Sequence, residues 1–466
     1  MTITRRDHLW LAVAALTLLG LVLRLLAARG ALWLDEAWSA TFAEQAVTPL
    51  GVIWRINHDN NHILNTLWLQ LLGPNAHPLA QRALAIATGT ATIPLAALFC
   101  SRRGTDAALV AALAFALSPI MLTYGSEARG YAPMVAAFLS MLVLVDRWLE
   151  GDRPAPAIGL AILALLGTLG QVMMIAPLLA MTGWAVTVSW RRNGPGKVFR
   201  DTFGALGPAL AASALVLLVM LLAAHASPHG FAIGSYRPFA AADWITGIAG
   251  AVEWTLAIAA PNGWPALFGL LVASALLVLR RHDPRAPFYV LLVLACPIAY
   301  ALLRFGNLAI PRYYLPAMAA LLLLASDALG EALVTQGKRR WLAVATIVLL
   351  TIGSVKLDCG LIANRRGDPA AAVAAIRRAA PAGATLMLPD KRLTPVFDWA
   401  ARSADYPLRI VGTSCGPAPF LLLDSDRPEA DPARLHLCCG AYRLMASRQV
   451  EGLSGTAWRL YHRVSP

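Results

Sequence analysis

Apolar runs long enough to cross a bilayer recur along nearly the whole chain, near residues 9–28, 83–100, 106–123, 131–145, 155–169, 171–190, 203–224, 265–279, 287–303, 313–330 and 341–357. A bilayer core of about 30 Å takes about 20 apolar helical residues, so each run reads as a span and eleven transmembrane helices are expected. The chain is 58% hydrophobic and only 14% charged, where soluble domains average about 45 to 50% apolar and about 25% charged. A soluble enzyme and a disordered chain are both excluded. The first run follows Arg5 and Arg6, outlasts the apolar region of a signal peptide and lacks a small-residue cleavage site, so it reads as a retained span.

The net charge of +13 would suggest nucleic acid in a soluble protein, but in a polytopic one basic residues mark cytoplasmic loops. Membrane lipids, not nucleic acid, are the expected surroundings. Alternate connections carry most of the charge, including Arg5, Arg6, Arg102, Arg103, Arg147, Arg153, Arg191, Arg192, Arg280, Arg281, Arg285, Arg339 and Arg340. The opposite loops hold only Arg29, Arg55, Arg82, Arg129, Arg237, Arg304 and Arg312. Residues 243–260 are long enough to cross, yet crossing would turn RRHDPR and GKRR outward. They read instead as an interfacial helix with Trp244 and Trp254 at headgroup level, as do residues 37–72 with Trp38, Trp54 and Trp68.

Beyond residue 358 the character changes. Strand-like runs near 385, 408, 419 and 457 alternate with helical stretches at 369–380 and 394–403, so 359–466 reads as a small α/β domain outside the membrane, after a transmembrane domain over 1–358. It holds Cys359, Cys415, Cys438 and Cys439, which suit disulfides in an oxidising compartment. Which cysteines pair is not legible, and metal binding is the weaker alternative because the adjacent pair lacks zinc-like spacing.

Carboxylates are costly inside a bilayer, so their positions inform. Asp35, Glu36, Asp59, His62, Glu127, Arg129, Arg237 and Arg312 all fall in loops of one side. Singly each has a plain explanation: Asp35 as a helix cap, Glu127 and Arg129 as a surface pair, Arg312 as a headgroup anchor, and Arg24, late in the first span, snorkelling outward. Their convergence on one face is harder to explain so.

The residues Trp33-Leu34-Asp35-Glu36-Ala37, His58-Asp59-Asn60-Asn61-His62, Gln81-Arg82-Ala83-Leu84, Tyr124-Gly125-Ser126-Glu127-Ala128-Arg129-Gly130-Tyr131 and Pro311-Arg312-Tyr313-Tyr314-Leu315-Pro316 carry a resemblance. The chain resembles the membrane-embedded GT-C glycosyltransferases, in particular the family-39-type enzymes that include protein O-mannosyltransferases and aminoarabinose transferases acting on lipid A. The likeness is strong over roughly residues 20–145 and again near 312; His62-Ile63-Leu64 stands where the family commonly has His-Pro-Pro. It implies a polytopic helical fold with juxtamembrane helices. It also implies transfer of a sugar from a polyprenyl-phosphate donor to an acceptor hydroxyl of a lipid, glycan or protein, at the periplasmic face of a bacterial inner membrane. Such a reaction needs a base, cations for the departing phosphate and a greasy groove. Asp35 is the expected base, its pKa raised by partial burial, and Glu36 either orients it or binds the acceptor. Arg129, Arg312 and Arg237 are the expected phosphate ligands, since a guanidinium grips two oxygens at once. Asp59, His62, Glu127, Tyr131 and Tyr313 are expected to line the sugar pocket, and Asp59, His62 and Glu127 alternatively hold a divalent ion with Asp35. A transporter or flippase is the rival from another class, but neither internal repeat nor midplane charge pair is visible. A polysaccharide ligase for lipid-linked glycans is the other, and Asp35-Glu36 directly after the first span argues against it.

Overall fold

The structure, a computed structural model, describes residues 5–56, 61–151, 154–227, 236–258, 264–412, 416, 418–424, 432–437 and 440–464. The eleven apolar runs are helical, but they divide by length. Seven form helices long and apolar enough to cross a bilayer: Arg6–Ala27, Ala83–Arg103, Tyr131–Leu149, Val172–Arg192, Pro195–Ala226, Pro311–Val334 and Lys338–Gly367. The other four become the shorter apolar helices Thr105–Leu117, Ala157–Gly170, Phe268–Leu279 and Ala286–Leu302. Local chemistry sets the breaks. Pro119 has no N–H to continue a helix, so the run restarts as Pro119–Tyr124. An extended Gln171 ends Ala157–Gly170, and Ala286–Leu302 contains a π-helical stretch at Val290–Ala295. Of the stretch 243–260, residues 243–256 lie in the 16-residue helix Ala241–Leu256, shorter than a full span needs. It packs on Pro311–Tyr314.

Three of the long helices orient the whole bundle. Ala83–Cys100 has Arg82 at one end and Arg102 and Arg103 just past the other; Tyr131–Leu149 has Arg129 before it and Glu150 after it; Leu315–Val334 follows Arg312 and carries Asp327 and Glu331 toward its far end. At about 1.5 Å per residue, such helices hold two polar layers nearly a bilayer core apart. The far layer gathers the basic loops. Arg285 grips both oxygens of Asp146 at 2.8 and 2.7 Å, Arg103 pairs with Asp283, and Arg102 pairs with Glu150. Loops that the charge rule assigned to one side therefore meet at one end.

Arg24 does not snorkel. It is fully buried, donating to the carbonyls of Gly20 at 3.0 Å and Phe115 at 3.1 Å. Gly125 leaves it room: a Cβ there would stand 2.6 Å from Arg24 Nε.

After the last long helix, six strands form one mixed sheet in the order β2-β1-β3-β6-β5-β4, comprising β1 (Ala384–Met387), β2 (Leu408–Val411), β3 (Phe420–Asp424), β4 (Arg434–Leu437), β5 (Gly440–Arg448) and β6 (Trp458–Arg463). β1 runs parallel to β2 and β3, and the remaining pairs are antiparallel. The helices Pro369–Ala379 and Thr394–Ser403 cover one face. Alternation puts Leu386, Phe420, Leu422, Trp458 and Leu460 into that core, and Ala37, Ala40 and Ala43 of the helix Leu34–Ala46 join the same cluster. The sheet and the juxtamembrane helix thus share one hydrophobic core. Cys415, Cys438 and Cys439, and with them the expected disulfides, lie outside the described residues.

Candidate active site

Two short connections build the site. The turn after the first span runs into the helix Leu34–Ala46, whose entry is fixed by Glu36: its carboxylate reaches back to the Trp33 N–H at 3.2 Å. The segment Gly125–Gly130, between Pro119–Tyr124 and Tyr131–Leu149, folds over that entry, and the Ala128 N–H donates to Glu36 at 2.7 Å. Arg82 completes the arrangement from a third loop. It meets Glu36 at 2.8 and 2.5 Å, and donates to the carbonyls of Ala28 at 2.7 Å, Gly30 at 2.9 Å and Ala31 at 2.9 Å. Both side chains are fully buried. Burial works to raise the Glu36 carboxyl, but Arg82, Arg366 and the Ala128 N–H outweigh it and hold it below its ordinary value. Glu36 is ionised, saturated and enclosed, which leaves it no face for an acceptor. Arg82, which the sequence marks only within Gln81-Arg82-Ala83-Leu84 and as a basic residue on the side that has few, is its partner.

With the helix entry fixed, Asp35 projects to the other side, 20% exposed. It is not the helix cap, since Trp33 holds that position. Arg312 meets its Oδ2 at 2.5 Å and Arg129 approaches the same oxygen at 3.6 Å. Arg129 also donates to the Asp35 carbonyl at 3.1 Å and to Ser39 Oγ at 3.2 Å. Arg129 and Glu127 therefore do not pair with each other. Burial alone would raise the Asp35 carboxyl, as expected, but the two guanidiniums outweigh it and hold the group below its ordinary value. In this state Asp35 is a counter-ion and a poor base.

Around this trio lie buried polar atoms without partners. His62 is 1% exposed; its Nδ1 stands 3.2 Å from the Gly170 carbonyl and 3.3 Å from the Gly130 N–H, which require opposite tautomers, and its Nε2 bonds to nothing among the described residues. Burial, then Arg129 and Arg312, push its pKa well below the usual range, so the imidazole is neutral. The Tyr131 ring packs edge-on against it at 4.8 Å, and Tyr124 lies 5.1 Å beyond. Tyr124 Oη, Arg129 Nε and Arg312 Nε are likewise unpartnered among the described residues. Tyr313 lies under the Arg312 guanidinium, 5.8 Å from it. Tyr131 and Tyr313 thus lie beside the two guanidiniums; Tyr124, next to Tyr131, is marked in the sequence only as part of a motif.

Two expected site residues fall elsewhere, and a third is not among the described residues. Arg237 is exposed, and its backbone pairs with Asn307 at 2.7 and 2.9 Å. Among the described residues, the arginines that pair with Asp35 are Arg129 and Arg312. Glu127 is fully buried beneath the C-terminal segment, its Oε1 accepting from Ser454. Asp59 lies outside the described residues. As for a divalent ion, two guanidiniums already occupy Asp35, and no group of three His, Cys, Asp or Glu side chains gathers among the described residues. The described donors do not suit a cation.

The C-terminal segment is tied in at several points. Leu34 N–H donates to Thr456 Oγ1 at 3.1 Å, Trp38 donates to the Arg392 carbonyl at 3.0 Å, and Arg366 reaches the Ala27 carbonyl at 2.6 Å and Ser126 Oγ at 2.8 Å. Gly367 is required here: φ is +81° and a Cβ would stand 2.1 Å from the Thr456 carbonyl.

Burial against this cover raises the Glu127 carboxyl to about 7 from 4.5, opposed by Arg366 and reinforced by Glu36. A group whose folded pKa is raised contributes full stability below its unfolded pKa and loses it as pH climbs through the folded one. The ionised form therefore costs roughly 3 kcal/mol in alkaline solution. Glu127→Gln is expected to melt above the parent at pH 8.5 and close to it at pH 4; a difference that ignores pH would contradict the burial argument.

No family model matches the chain, and no curated protein matches it in sequence. Among solved structures it is similar to the oligosaccharyltransferase of Archaeoglobus fulgidus in its apo form, at 12% identity and a TM-score of 0.47, over 90% of this chain and 70% of that one.

Proposed function

We propose that the protein is a membrane glycosyltransferase of the GT-C kind, moving a sugar from a polyprenyl-phosphate carrier to an acceptor hydroxyl of a lipid, glycan or protein. The reaction is placed at the periplasmic face of a bacterial inner membrane, with residues 1–358 supplying the chemistry and 359–466 the cover. The observation that carries this reading is a single carboxylate, Asp35, held by guanidiniums from two other loops and ringed by unpartnered buried donors. Each unmet buried polar atom costs roughly 1 to 3 kcal/mol, so the cluster is built for a ligand rich in acceptor oxygens.

A phosphate entering here competes with Asp35 for Arg129 and Arg312. Once they turn to the phosphate, nothing offsets the burial of Asp35 and its carboxyl becomes more basic. The base is thereby armed by the donor. The acceptor oxygen attacks the anomeric carbon as its proton passes to Asp35, and the bond from that carbon to the phosphate oxygen breaks with its electrons leaving on the phosphate. Configuration inverts. Arg129 and Arg312 stabilise the charge that develops on the leaving phosphate, while His62, Tyr131 and Tyr313 flank the sugar.

The test is transfer from a radiolabelled polyprenyl-phosphate sugar in proteoliposomes. Arg312→Gln is expected to lower kcat/KM about 100-fold, the usual size of one lost charge-stabilising donor. Unchanged transfer by that variant, or no transfer by the parent with any such donor, sinks the reading.

A further inference from the structure

The hairpin between β5 and β6 reaches out of the C-terminal sheet and ends on the transmembrane bundle. Its tip, residues 449–457, carries Leu453, which packs against the main transmembrane core. Gly452 lies so close to Leu361 of the last long helix that a Cβ would collide with it. The Gln449 carbonyl accepts from Asn364 at 2.8 Å, and the Thr456 N–H donates to the Arg366 carbonyl at 3.1 Å. These contacts seat the tip. Two hydroxyls then reach into the active-site loops. Thr456 Oγ1 accepts from Leu34, the residue before Asp35, and Ser454 Oγ donates to Glu127, two residues before Arg129. Ser454 and Thr456 are each only 4% exposed, and the proposed reaction gives neither a chemical part.

A tip that needed only to pack would be served by apolar side chains, since a buried hydroxyl costs free energy unless its hydrogen bond is made. Here both bonds end beside the charged groups whose meeting defines the site. We propose that the β5–β6 tip is a latch on the active-site loops, with Ser454 and Thr456 as positioning residues. Docked, it holds Leu34 and Glu127 where Asp35 and Arg129 meet; released, both loops lose that register and transfer falls. The effect on transfer rests on the glycosyltransferase reading, whereas the docking does not. Glu127 makes the latch respond to pH. Its carboxyl faces Ser454 of the tip, Arg366 after the last long helix, Glu36 of Leu34–Ala46, Tyr124 of Pro119–Tyr124 and Arg129 of its own loop. Glu451, the acid of the tip itself, lies against Gly360. Burial under the docked tip raises the Glu127 carboxyl to about 7 from 4.5, and release returns it to water. Docking therefore takes up a proton: it is strongest in acid and weakens as pH climbs from 4.5 through about 7.

The experiment is hydrogen exchange of the full chain in detergent at pH 6 and pH 8.5, each corrected for intrinsic exchange. With Glu127 titrating near 7 when docked and near 4.5 when released, release is expected to rise roughly tenfold across that interval. Peptides covering 449–457 and 125–130 are expected to lose protection together by that factor. Glu127→Gln, which can still accept from Ser454 but has no proton to lose, is expected to keep both peptides equally protected at either pH. Ser454→Ala, which removes only the hydroxyl, is expected to raise release at least threefold at pH 6. In the transfer assay, kcat/KM of the parent is expected to fall at least twofold from pH 6 to pH 8.5, and that of Glu127→Gln to stay level. Protection or turnover in the parent that ignores pH, a pH response that survives Glu127→Gln, or a tip that opens while 125–130 stays protected each overturns the latch. Exchange is read without donor or acceptor, so absence of transfer sinks the enzymatic reading while the exchange arm still decides this one.

Discussion

Asp35→Asn is expected to cut kcat by a factor of 100 to 10,000, the range spanned by loss of a general base, while the donor KM stays equal or falls. The asymmetry follows from the geometry. In the parent, Asp35 occupies the guanidiniums that the proposed donor phosphate would need, with Oδ2 2.5 Å from Arg312 and 3.6 Å from Arg129. Asparagine leaves those cations without a counter-charge, so a phosphate binds at least as well, but no group remains to accept the hydroxyl proton. A further signature lies in the pH profiles. For the free enzyme, the lowered Asp35 pKa puts the acid limb of kcat/KM below the ordinary carboxylate range; with donor bound, the limb of kcat moves upward as the arginines turn to phosphate. A variant within tenfold of the parent in kcat, or two superimposable acid limbs, refutes the armed-base mechanism.

Arg82→Met is expected to destabilise the protein by about 3 to 5 kcal/mol, the cost of stranding one partner of a buried ion pair. The guanidinium binds Glu36 through two nitrogens and holds three carbonyls of the turn leading into Leu34–Ala46. Methionine fills similar space but satisfies none of them, and Glu36 would keep only two N–H donors, from Trp33 and Ala128. Set against a total of roughly 5 to 15 kcal/mol for a folded domain, this is a large fraction. A double-mutant cycle separates pair from packing: Glu36→Gln with Arg82→Met is expected to melt above Arg82→Met alone, since the stranded charge is gone. If the double variant melts below the single one, the coupling is not electrostatic. Low activity with intact folding in Glu36→Gln would point instead to a direct part in transfer.

What was legible in the sequence is what depends on local order. Apolar runs gave helices because backbone groups in a bilayer must bond within their own segment. Strands β1, β2, β3 and β6 were visible because their apolar residues cluster between turns; β4 and β5, reading RLHL and GAYRLMASR, are half-exposed and carry too little apolar alternation to stand out. Asp35, Arg129 and Arg312 were found because charges beside spans are scarce enough to notice. Their neighbours were harder. The partners of Glu36 and Glu127 lie 46 and 327 positions away, and nothing in either stretch records that separation. The direction of the Asp35 shift was misjudged for the same reason: burial can be guessed from a neighbourhood, whereas the number of cations touching one oxygen cannot.

Thr456 and Leu34 touch across 422 positions of chain, and Ser454 closes over Glu127 beside them. A growing polypeptide therefore completes its long apolar helices well before the loops of Asp35 and Glu127 can gain their final contacts. Until that late segment docks, the entry to Leu34–Ala46 and the loop of Glu127 lack the bonds that close over them.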